Sequence, residues 1–93
     1  MPGAARFQDI CSGHGCWPPR PNNQASPDTF VNGRGWHRRT DSWEIHCCPP
    51  CHGGNLKDGS PDTFVNGLEG GRCHDPVDCG SYVQECSPNV IIN

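Results

Sequence analysis

The octapeptide SPDTFVNG occurs twice in this chain, at residues 26–33 and again at residues 60–67. The final seven residues, SPNVIIN at 87–93, match it position by position: Ser-Pro, then Asp or Asn, then three mostly β-branched or aromatic residues, then Asn. A segment that recurs within so short a chain indicates a fold assembled from repeated supersecondary units. The sequence therefore predicts a single domain of three related units, 1–32, 33–66 and 67–93.

The repeated segment predicts a strand followed by a tight turn. In the first two copies the closing Asn is followed by Gly. Because both residues tolerate positive φ, Asn-Gly beside an apolar run is a strong β-hairpin signal. Pro27 and Pro61 stand at the start of their segments, where a strand tolerates proline. With no capped amphipathic helix visible, the pattern predicts an all-β fold of short hairpins with little or no helix.

A second motif, Arg-x-x-Asp, recurs once in each unit. Its copies are Arg6 and Asp9, Arg38 and Asp41, and Arg72 and Asp75. An exposed ion pair contributes at most about 1 kcal/mol. Recurrence at the same place in each unit favours a local structural role, in which the carboxylate holds a turn by charge-assisted hydrogen bonds.

The phase of the repeat predicts how the units are arranged. The chain begins just after the turn position and ends just before it, so both ends fall at equivalent points of the repeat. An open solenoid instead carries atypical capping units at its ends. We therefore expect a closed pseudo-threefold ring of hairpins, with plain duplication without symmetry as the alternative.

The composition indicates that the hydrophobic core alone is too small to stabilise this fold. Only 32% of the residues are hydrophobic without counting Gly, against roughly 45–50% in ordinary globular domains, a figure that does count Gly. A core this thin needs disulfides, a metal or a partner, and the chain offers eight Cys and five His. The N-terminus lacks the pattern of a secretory signal, so we expect synthesis in the cytoplasm. Stable disulfides are uncommon there, which favours metal ligands or free thiols.

Each unit carries Cys or His between its Arg-x-x-Asp and its Ser-Pro. They are Cys11, His14 and Cys16 in the first unit, His46, Cys47, Cys48, Cys51 and His52 in the second, and Cys73, Cys79 and Cys86 in the third. If a threefold axis relates the units, these loops converge at one end and can build the closed tetrahedral site that structural Zn²⁺ prefers. Iron accepts such ligands as well. Spacing alone leaves the choice of ligands open.

Other uses of these residues also stay open. Any single Cys can be a small buried hydrophobe. Disulfides are an alternative, chiefly among Cys11, Cys16, Cys47, Cys73 and Cys86. His37 and His74 fall at the Arg-x-x-Asp turns, outside the ligand loops, and are predicted to be solvated or to face a partner.

Taken together, these features resemble the PAAR-repeat proteins, a family named after the motif Pro-Ala-Ala-Arg. The corresponding segments are GAAR at 3–6, GWHR at 35–38 and EGGR at 69–72. The first departs from the family motif by one residue, and the other two keep only the Arg and its Asp. The order of the parts, with three short β units, Asn-Gly turns and an Arg beyond each turn, spans the whole chain.

The resemblance implies a cone-shaped, non-enzymatic protein at the distal end of a trimeric β-helical spike. Such spikes belong to type VI secretion systems and contractile phage tails, and their tips pierce a target membrane. The family holds a Zn²⁺ near the apex by three His and one Cys. By position, the ligands here are His14, His46, His52 and Cys79.

The resemblance also implies the partner surface. The base of the cone would continue the blunt end of the spike, one tip per trimer, where the spike is a valine-glycine-repeat or phage central-spike protein. The candidate contact residues are Phe30, Val31, Trp36, Phe64, Val65, Val90, Ile91 and Ile92. After cytoplasmic synthesis, the protein would be assembled into a tail tip or secretion spike and delivered outside the cell.

Two other classes of function remain as alternatives. A small zinc-binding interaction module fits the His and Cys clusters, but a net charge of −3 without a basic stripe argues against nucleic acid as its partner. A disulfide-rich secreted protein fits the even Cys count, but no signal peptide is visible. No nucleophile, base and orienting group stand together in the pattern of an enzyme, and no small-molecule substrate is expected.

Overall fold

Six short strands, paired as three separate antiparallel hairpins, make up the regular structure of the chain. The computed structural model describes residues 2–93, and within that range no residue is helical. The strands are β1 (Phe30–Val31), β2 (Arg34–Gly35), β3 (Ser42–Cys47), β4 (Cys51–Asn55), β5 (Phe64–Val65) and β6 (Leu68–Glu69). They pair β1 with β2, β3 with β4 and β5 with β6. The all-β prediction is confirmed.

The two Asn-Gly dipeptides form the predicted hairpin turns. Asn32 and Gly33 connect β1 to β2 with φ values of 54° and 77°, and Asn66 and Gly67 connect β5 to β6 with φ values of 54° and 79°. Positive φ at both central residues is the geometry of the type I′ turn, whose twist matches that of the strands. The sequence signal and the local structure therefore agree.

The Ser-Pro-Asx segment forms the same turn in all three copies. Ser26 Oγ accepts hydrogen bonds from the N–H groups of Asp28 at 3.3 Å and Thr29 at 3.0 Å. Ser60 and Ser87 accept the equivalent pairs of N–H groups in the other copies. Because the donors are backbone groups, the diverged third copy keeps this turn although its side chains differ.

Each Arg-x-x-Asp motif closes a turn around its own carboxylate. In the second copy, Asp41 accepts from the Arg38 N–H at 2.9 Å, from Nε at 2.9 Å and from Nη2 at 3.0 Å. The other two copies repeat these contacts. The third residue of each turn has positive φ, at Gln8 (70°), Thr40 (77°) and His74 (70°). The predicted structural role of the Arg–Asp pairs is confirmed.

A cycle of backbone hydrogen bonds joins the three PAAR-like segments. Ala5 N–H donates to Gly71 O at 2.9 Å, Gly71 N–H to His37 O at 2.8 Å, and His37 N–H to Ala5 O at 3.0 Å. The flanking bridges close in the same order, Arg6 with Trp36, Arg38 with Gly70, and Arg72 with Ala4. The division of the chain into three units stays a prediction, and this cycle supports it.

A second cycle, of side chains, joins the repeated octapeptides. In each case the turn Asn of one segment donates to the Asx side chain of a neighbouring segment. The pairs are Asn66 to Asp28 at 3.0 Å, Asn93 to Asp62 at 2.8 Å, and Asn32 to Asn89 at 2.9 Å. The last residue of the chain thus takes the same place as the Asn of the two Asn-Gly turns.

His37 is buried, so the prediction that it is solvated or faces a partner was wrong. It is fully enclosed because the residue before each motif Arg lies in the central backbone cycle. Its Nδ1 donates to Gln24 O at 2.7 Å, and its ring meets Trp43 edge-on at 5.0 Å. Within residues 2–93, His37 Nε2 and Trp43 Nε1 are buried without a hydrogen-bond partner. His74, by contrast, is exposed as expected.

This burial predicts an acid-dependent loss of stability. Burial lowers the pKa of His37 to about 4, against the opposing effect of its hydrogen bond to Gln24. In the unfolded chain the same group protonates near pH 6.5, so stability is lost as the pH falls from 6.5 towards 4. His37→Asn keeps a donor for Gln24 O and removes the titration. Between those pH values, metal-free wild type is expected to lose about 3 kcal/mol more of its unfolding free energy than the variant, and parallel urea-unfolding profiles would contradict this.

The hydrophobic core is small and lies between the ring and the long β3–β4 hairpin. Its cluster consists of Ala5, Cys11, Trp43, Leu56, Val77 and Val83. Cys11 is a free thiol in this core, which agrees with the interpretation of a single Cys as a small hydrophobe. Among residues 2–93, no helix combines the length and apolar character that crossing a bilayer requires.

Candidate metal centre

The β3–β4 hairpin presents two histidines side by side. His46 on β3 is the cross-strand partner of His52 on β4. The register shifts between Trp43 and His46, so both of these residues point inward although they are three apart. Strict alternation would place residues two apart on one face. The irregularity therefore turns His46 towards the interior and leaves Ile45 exposed.

Two further candidate ligands, His14 and Cys79, come from loops on either side of the hairpin. His14 lies in a tight turn, where its N–H donates to Trp17 O at 3.0 Å and its carbonyl accepts from the Trp17 N–H at 2.8 Å. Cys79 precedes Gly80, whose φ of 109° favours glycine. A Cβ on Gly80 would also lie 3.5 Å from His14 Nδ1. That distance is an ordinary van der Waals contact, so it is the backbone conformation at residue 80 that favours glycine where the third loop meets the first.

The four side chains converge on one point. One ligand atom from each of His14, His46, His52 and Cys79 lies within 4.8 Å of all the others. His52 Nε2 is 2.9 Å from His14 Nε2 and 2.8 Å from His46 Nε2. Cys79 Sγ is 3.9 Å from His46 Nε2. The structure therefore brings together the four residues that the family resemblance selected.

The protonation of His46 is set by a backbone carbonyl. His46 Nδ1 lies 2.9 Å from Pro18 O, and because a carbonyl only accepts, this nitrogen carries the proton. In the neutral ring, Nε2 then keeps its lone pair and points at the cluster. Metal-bound histidines show the same arrangement, in which the outer nitrogen donates to an oxygen that orients the ring.

The electrostatics of the cluster favour the neutral form of His52. The pKa of His52 is lowered by desolvation and, to a smaller extent, by the neighbouring His46 and His14. Trp17 adds to the enclosure, because its ring stacks on His14 at 4.9 Å and packs against His52 at 4.8 Å. Three imidazoles and one thiol that lie around one point are a donor set that suits Zn²⁺. The residues present therefore fit a metal.

The cysteines differ from the sequence-based expectation of thiols and metal ligands. Six of the eight form disulfides, and the pairs are Cys16–Cys48, Cys47–Cys51 and Cys73–Cys86. The candidate list for disulfides was wrong in including Cys11 and in leaving out Cys48 and Cys51. Connectivity depends on which loops meet in space, so spacing carries no signal for it.

The candidate partner-facing residues fall into two groups. Phe30, Phe64 and Ile91 occupy the same position of the three repeats and are 62%, 58% and 46% exposed. Val31 and Val65 are 3% exposed, so their side chains lie in the interior and are not available to a partner. Alternation along a strand explains the difference, since successive side chains point to opposite faces.

The remaining candidates are half-buried. They are Trp36, Val90 and Ile92. The Trp36 indole donates to Gly71 O at 3.0 Å and lies where a Cβ on Gly70 would collide with its ring. The Trp36 indole therefore packs against neighbouring backbone of the three-unit ring. Trp36 makes more contact within the chain than the prediction of a partner anchor implied.

Comparison with known proteins completes this evidence. No curated protein shows significant sequence similarity to the chain. The family model of the PAAR motif matches residues 12–85 of the 93, which covers the ring segments of the second and third units and all four clustered ligands. The chain belongs to the PAAR-motif family.

Proposed function

We propose that this chain is the tip of a contractile injection machine, a phage tail or a type VI secretion system, and caps the blunt end of a trimeric β-helical spike. The exposure of Phe30, Phe64 and Ile91 at one equivalent position of each repeat carries the proposal. Exposed apolar side chains mark interaction sites when they recur in a pattern. Three of them in a closed ring suit a partner with threefold symmetry.

The backbone supports the same partner. The β1–β2 and β5–β6 hairpins are two-stranded, and Gly35 O on β2 and Glu69 O on β6 accept from backbone N–H groups elsewhere in the chain. Within residues 2–93, β1 and β5 make no backbone hydrogen bonds beyond those to their hairpin partners, so their outer edges are free. Such edges pair readily with strands of another chain. A β-helical spike ends in open strands of its own, and addition of strand to strand would satisfy both surfaces.

The metal cluster suits the opposite end of such a tip. The chain passes from the ring at Arg38 into β3, whose six residues span roughly 20 Å before the hairpin ends beside His46. The body is elongated, with extents of 36 × 23 × 23 Å. An elongated body with a metal site near one end fits a part that is driven through a membrane.

A structural metal ion, with zinc preferred and iron as the alternative, would tie the three loops at this end. His14, His46, His52 and Cys79 would hold it, each loop supplying at least one ligand. When ligands come from segments that fold together, metal binding contributes to folding directly, on the order of 10 kcal/mol in structural zinc sites. The role is structural and involves no catalytic step, and after assembly the tip leaves the cell with its spike.

The test is binding to the spike protein of the same machine. We expect one chain per spike trimer by native mass spectrometry. Replacing Phe30, Phe64 and Ile91 together with glutamate is expected to weaken binding at least ~100-fold, because buried charge replaces apolar anchors. Ile45 is 61% exposed on the metal hairpin, so Ile45→Glu is the matched control and should bind normally. Equal loss in the control, or binding of three chains per trimer, would contradict the proposal.

A further inference from the structure

Two of the three disulfides lie directly beside the histidines of the cluster. Cys47 follows His46 and Cys51 precedes His52, and the two cysteines face each other as the next pair of the β3–β4 ladder. Their disulfide joins Cα atoms that are 4.0 Å apart. It closes the short loop 48–50 that connects the two strands, and so fixes the end of the hairpin next to the histidine pair.

The second disulfide links the hairpin to the loop that carries His14. Cys16 stands two residues after His14, and Cys48 stands two residues after His46. Their Cα atoms are 5.8 Å apart although the residues are separated by 32 positions in sequence. This bond therefore joins two ligand-bearing segments that are distant along the chain.

The noncovalent contacts between the same two segments lie mainly beside the start of β3, where the Glu44 N–H donates to Pro21 O at 3.0 Å. Nearer the cluster, Trp17 packs against His52 at 4.8 Å, and two further hydrogen bonds join the segments. Trp17 Nε1 donates to Pro50 O at 2.9 Å in an exposed setting, and Pro18 O accepts from His46 Nδ1. Hydrogen bonds exposed to water contribute little net free energy, because water replaces either partner. The Cys16–Cys48 disulfide thus adds a covalent constraint at the end of the hairpin where His14 meets His46 and His52.

We propose that the Cys16–Cys48 and Cys47–Cys51 disulfides are an oxidative lock on the metal centre. With both closed, a histidine that leaves the ion stays beside it and binds again before the other ligands let go, since a tethered ligand acts at high effective concentration. With both open, the loops separate and the ion escapes faster. The inference rests on the proposed metal site and adds a means of regulating how long the ion stays.

Opening the lock is a reduction. A dithiol reductant attacks one sulfur of the disulfide and is itself oxidised to a disulfide. The protein disulfide takes up two electrons and two protons and becomes two thiols. Two equivalents of dithiol are consumed for the two bonds, and the reverse reaction with an oxidised dithiol closes them. A reducing compartment would therefore hold the centre in its exchangeable form and an oxidising one in its retained form.

The third disulfide provides a matched control. Cys73 and Cys86 are 13 residues apart, and the Cys73 N–H donates to Gly3 O at 2.9 Å, beside the ring. The loop between these two cysteines carries Cys79, but hydrogen bonds also hold that loop to β4, because the Asp78 N–H donates to Asn55 O at 3.0 Å and the Asn55 N–H donates to Asp78 Oδ1 at 2.9 Å. Removing this disulfide therefore costs the chain a crosslink of the same kind while those bonds keep Cys79 in place. The variant that lacks this disulfide therefore separates a loss of overall stability from a change in the rate of zinc release.

The test compares zinc release from wild type and three double variants. They are Cys16→Ser with Cys48→Ser, Cys47→Ser with Cys51→Ser, and Cys73→Ser with Cys86→Ser. Each protein is loaded with zinc and mixed with excess chromophoric chelator, and circular dichroism checks that it is folded. The first two variants are expected to release zinc at least ~10-fold faster than wild type, and the third within about twofold of it.

The outcomes separate the lock from the metal site itself. Equal release rates in all four proteins, or fastest release from the Cys73–Cys86 variant, would overturn the lock while leaving the metal site intact. Denatured, chelated wild type that has been exposed to air should show only two free thiols, those of Cys11 and Cys79. A count of eight would also overturn the lock. Wild type that takes up no zinc would overturn the metal site and the lock together.

Discussion

Replacing His46 with alanine is expected to remove zinc from the protein almost completely. Wild type should hold about one ion per chain in a closed four-ligand site. His46 is 3% exposed, contacts His52 directly and is oriented by Pro18 O. Loss of an outer partner alone costs 10–100-fold in metal affinity, so loss of the ligand should cost at least about 100-fold. Elemental analysis after gel filtration measures the occupancy.

The same variant should lose the metal's share of stability. At a free zinc concentration about 1,000 times the dissociation constant, binding to the folded state stabilises it by about 4 kcal/mol. Urea unfolding with and without a chelator should show this difference in wild type and little of it in His46→Ala. The control is His74→Ala, which changes an exposed histidine outside the cluster and should leave both readouts unchanged. Full zinc occupancy in His46→Ala would contradict the site.

Replacing Asp41 with alanine is expected to destabilise the fold by about 3–5 kcal/mol, because it breaks a buried ion pair and leaves one charge without a partner. The side chains of Arg38 and Asp41 are only 11% and 2% exposed. The carboxylate also accepts the Arg38 N–H, so the turn loses a backbone hydrogen bond at the same time. Urea unfolding of the zinc-loaded protein measures the cost.

A neighbouring ion pair serves as the control for this loss. Arg39 and Glu69 form an ion pair at 3.1 Å, but their side chains are 47% and 27% exposed. Exposed pairs contribute at most about 1 kcal/mol, so Glu69→Ala should cost less than that. If Asp41→Ala cost no more than Glu69→Ala, the Arg-x-x-Asp motifs would not hold the turns as proposed.

Much of the ring could be predicted from sequence because its determinants are local. The Asn-Gly turns need positive φ at two adjacent residues, and few residue pairs other than Asn-Gly supply it easily. The Ser-Pro-Asx turn depends on one hydroxyl and two backbone N–H groups. The diverged third copy at residues 87–93 therefore still forms the same turn. Turn determinants of this kind can therefore be recognised directly from the sequence.

The ligand set was less accessible, because it depends on contacts between loops. Eleven Cys and His residues occupy the loops, and their spacing does not distinguish Cys79 from Cys47 or Cys51. His46 faces inward only because the register of β3 shifts after Trp43. The family resemblance selected the four residues by position, which spacing alone could not do.

His37 and the disulfides show where the sequence misleads. The place of His37 at an Arg-x-x-Asp turn, outside the ligand loops, suggests a solvated side chain, yet the residue before each motif Arg enters the central cycle with Ala5 and Gly71. The expectation of free thiols followed from the apparent compartment, whereas pairing is decided by which loops meet. Cys16 and Cys48 meet because both flank the histidine cluster.

The central claim is that one metal ion ties three loops of a closed ring, and a metal-edge anomalous diffraction map tests it most directly. The account predicts a single strong peak at the zinc edge, roughly 2.0–2.1 Å from the Nε2 atoms of His14, His46 and His52 and about 2.3 Å from Cys79 Sγ. No peak at any metal edge in crystals of the zinc-loaded protein, or a peak bound by Cys47, Cys48 or Cys51 instead, would contradict it.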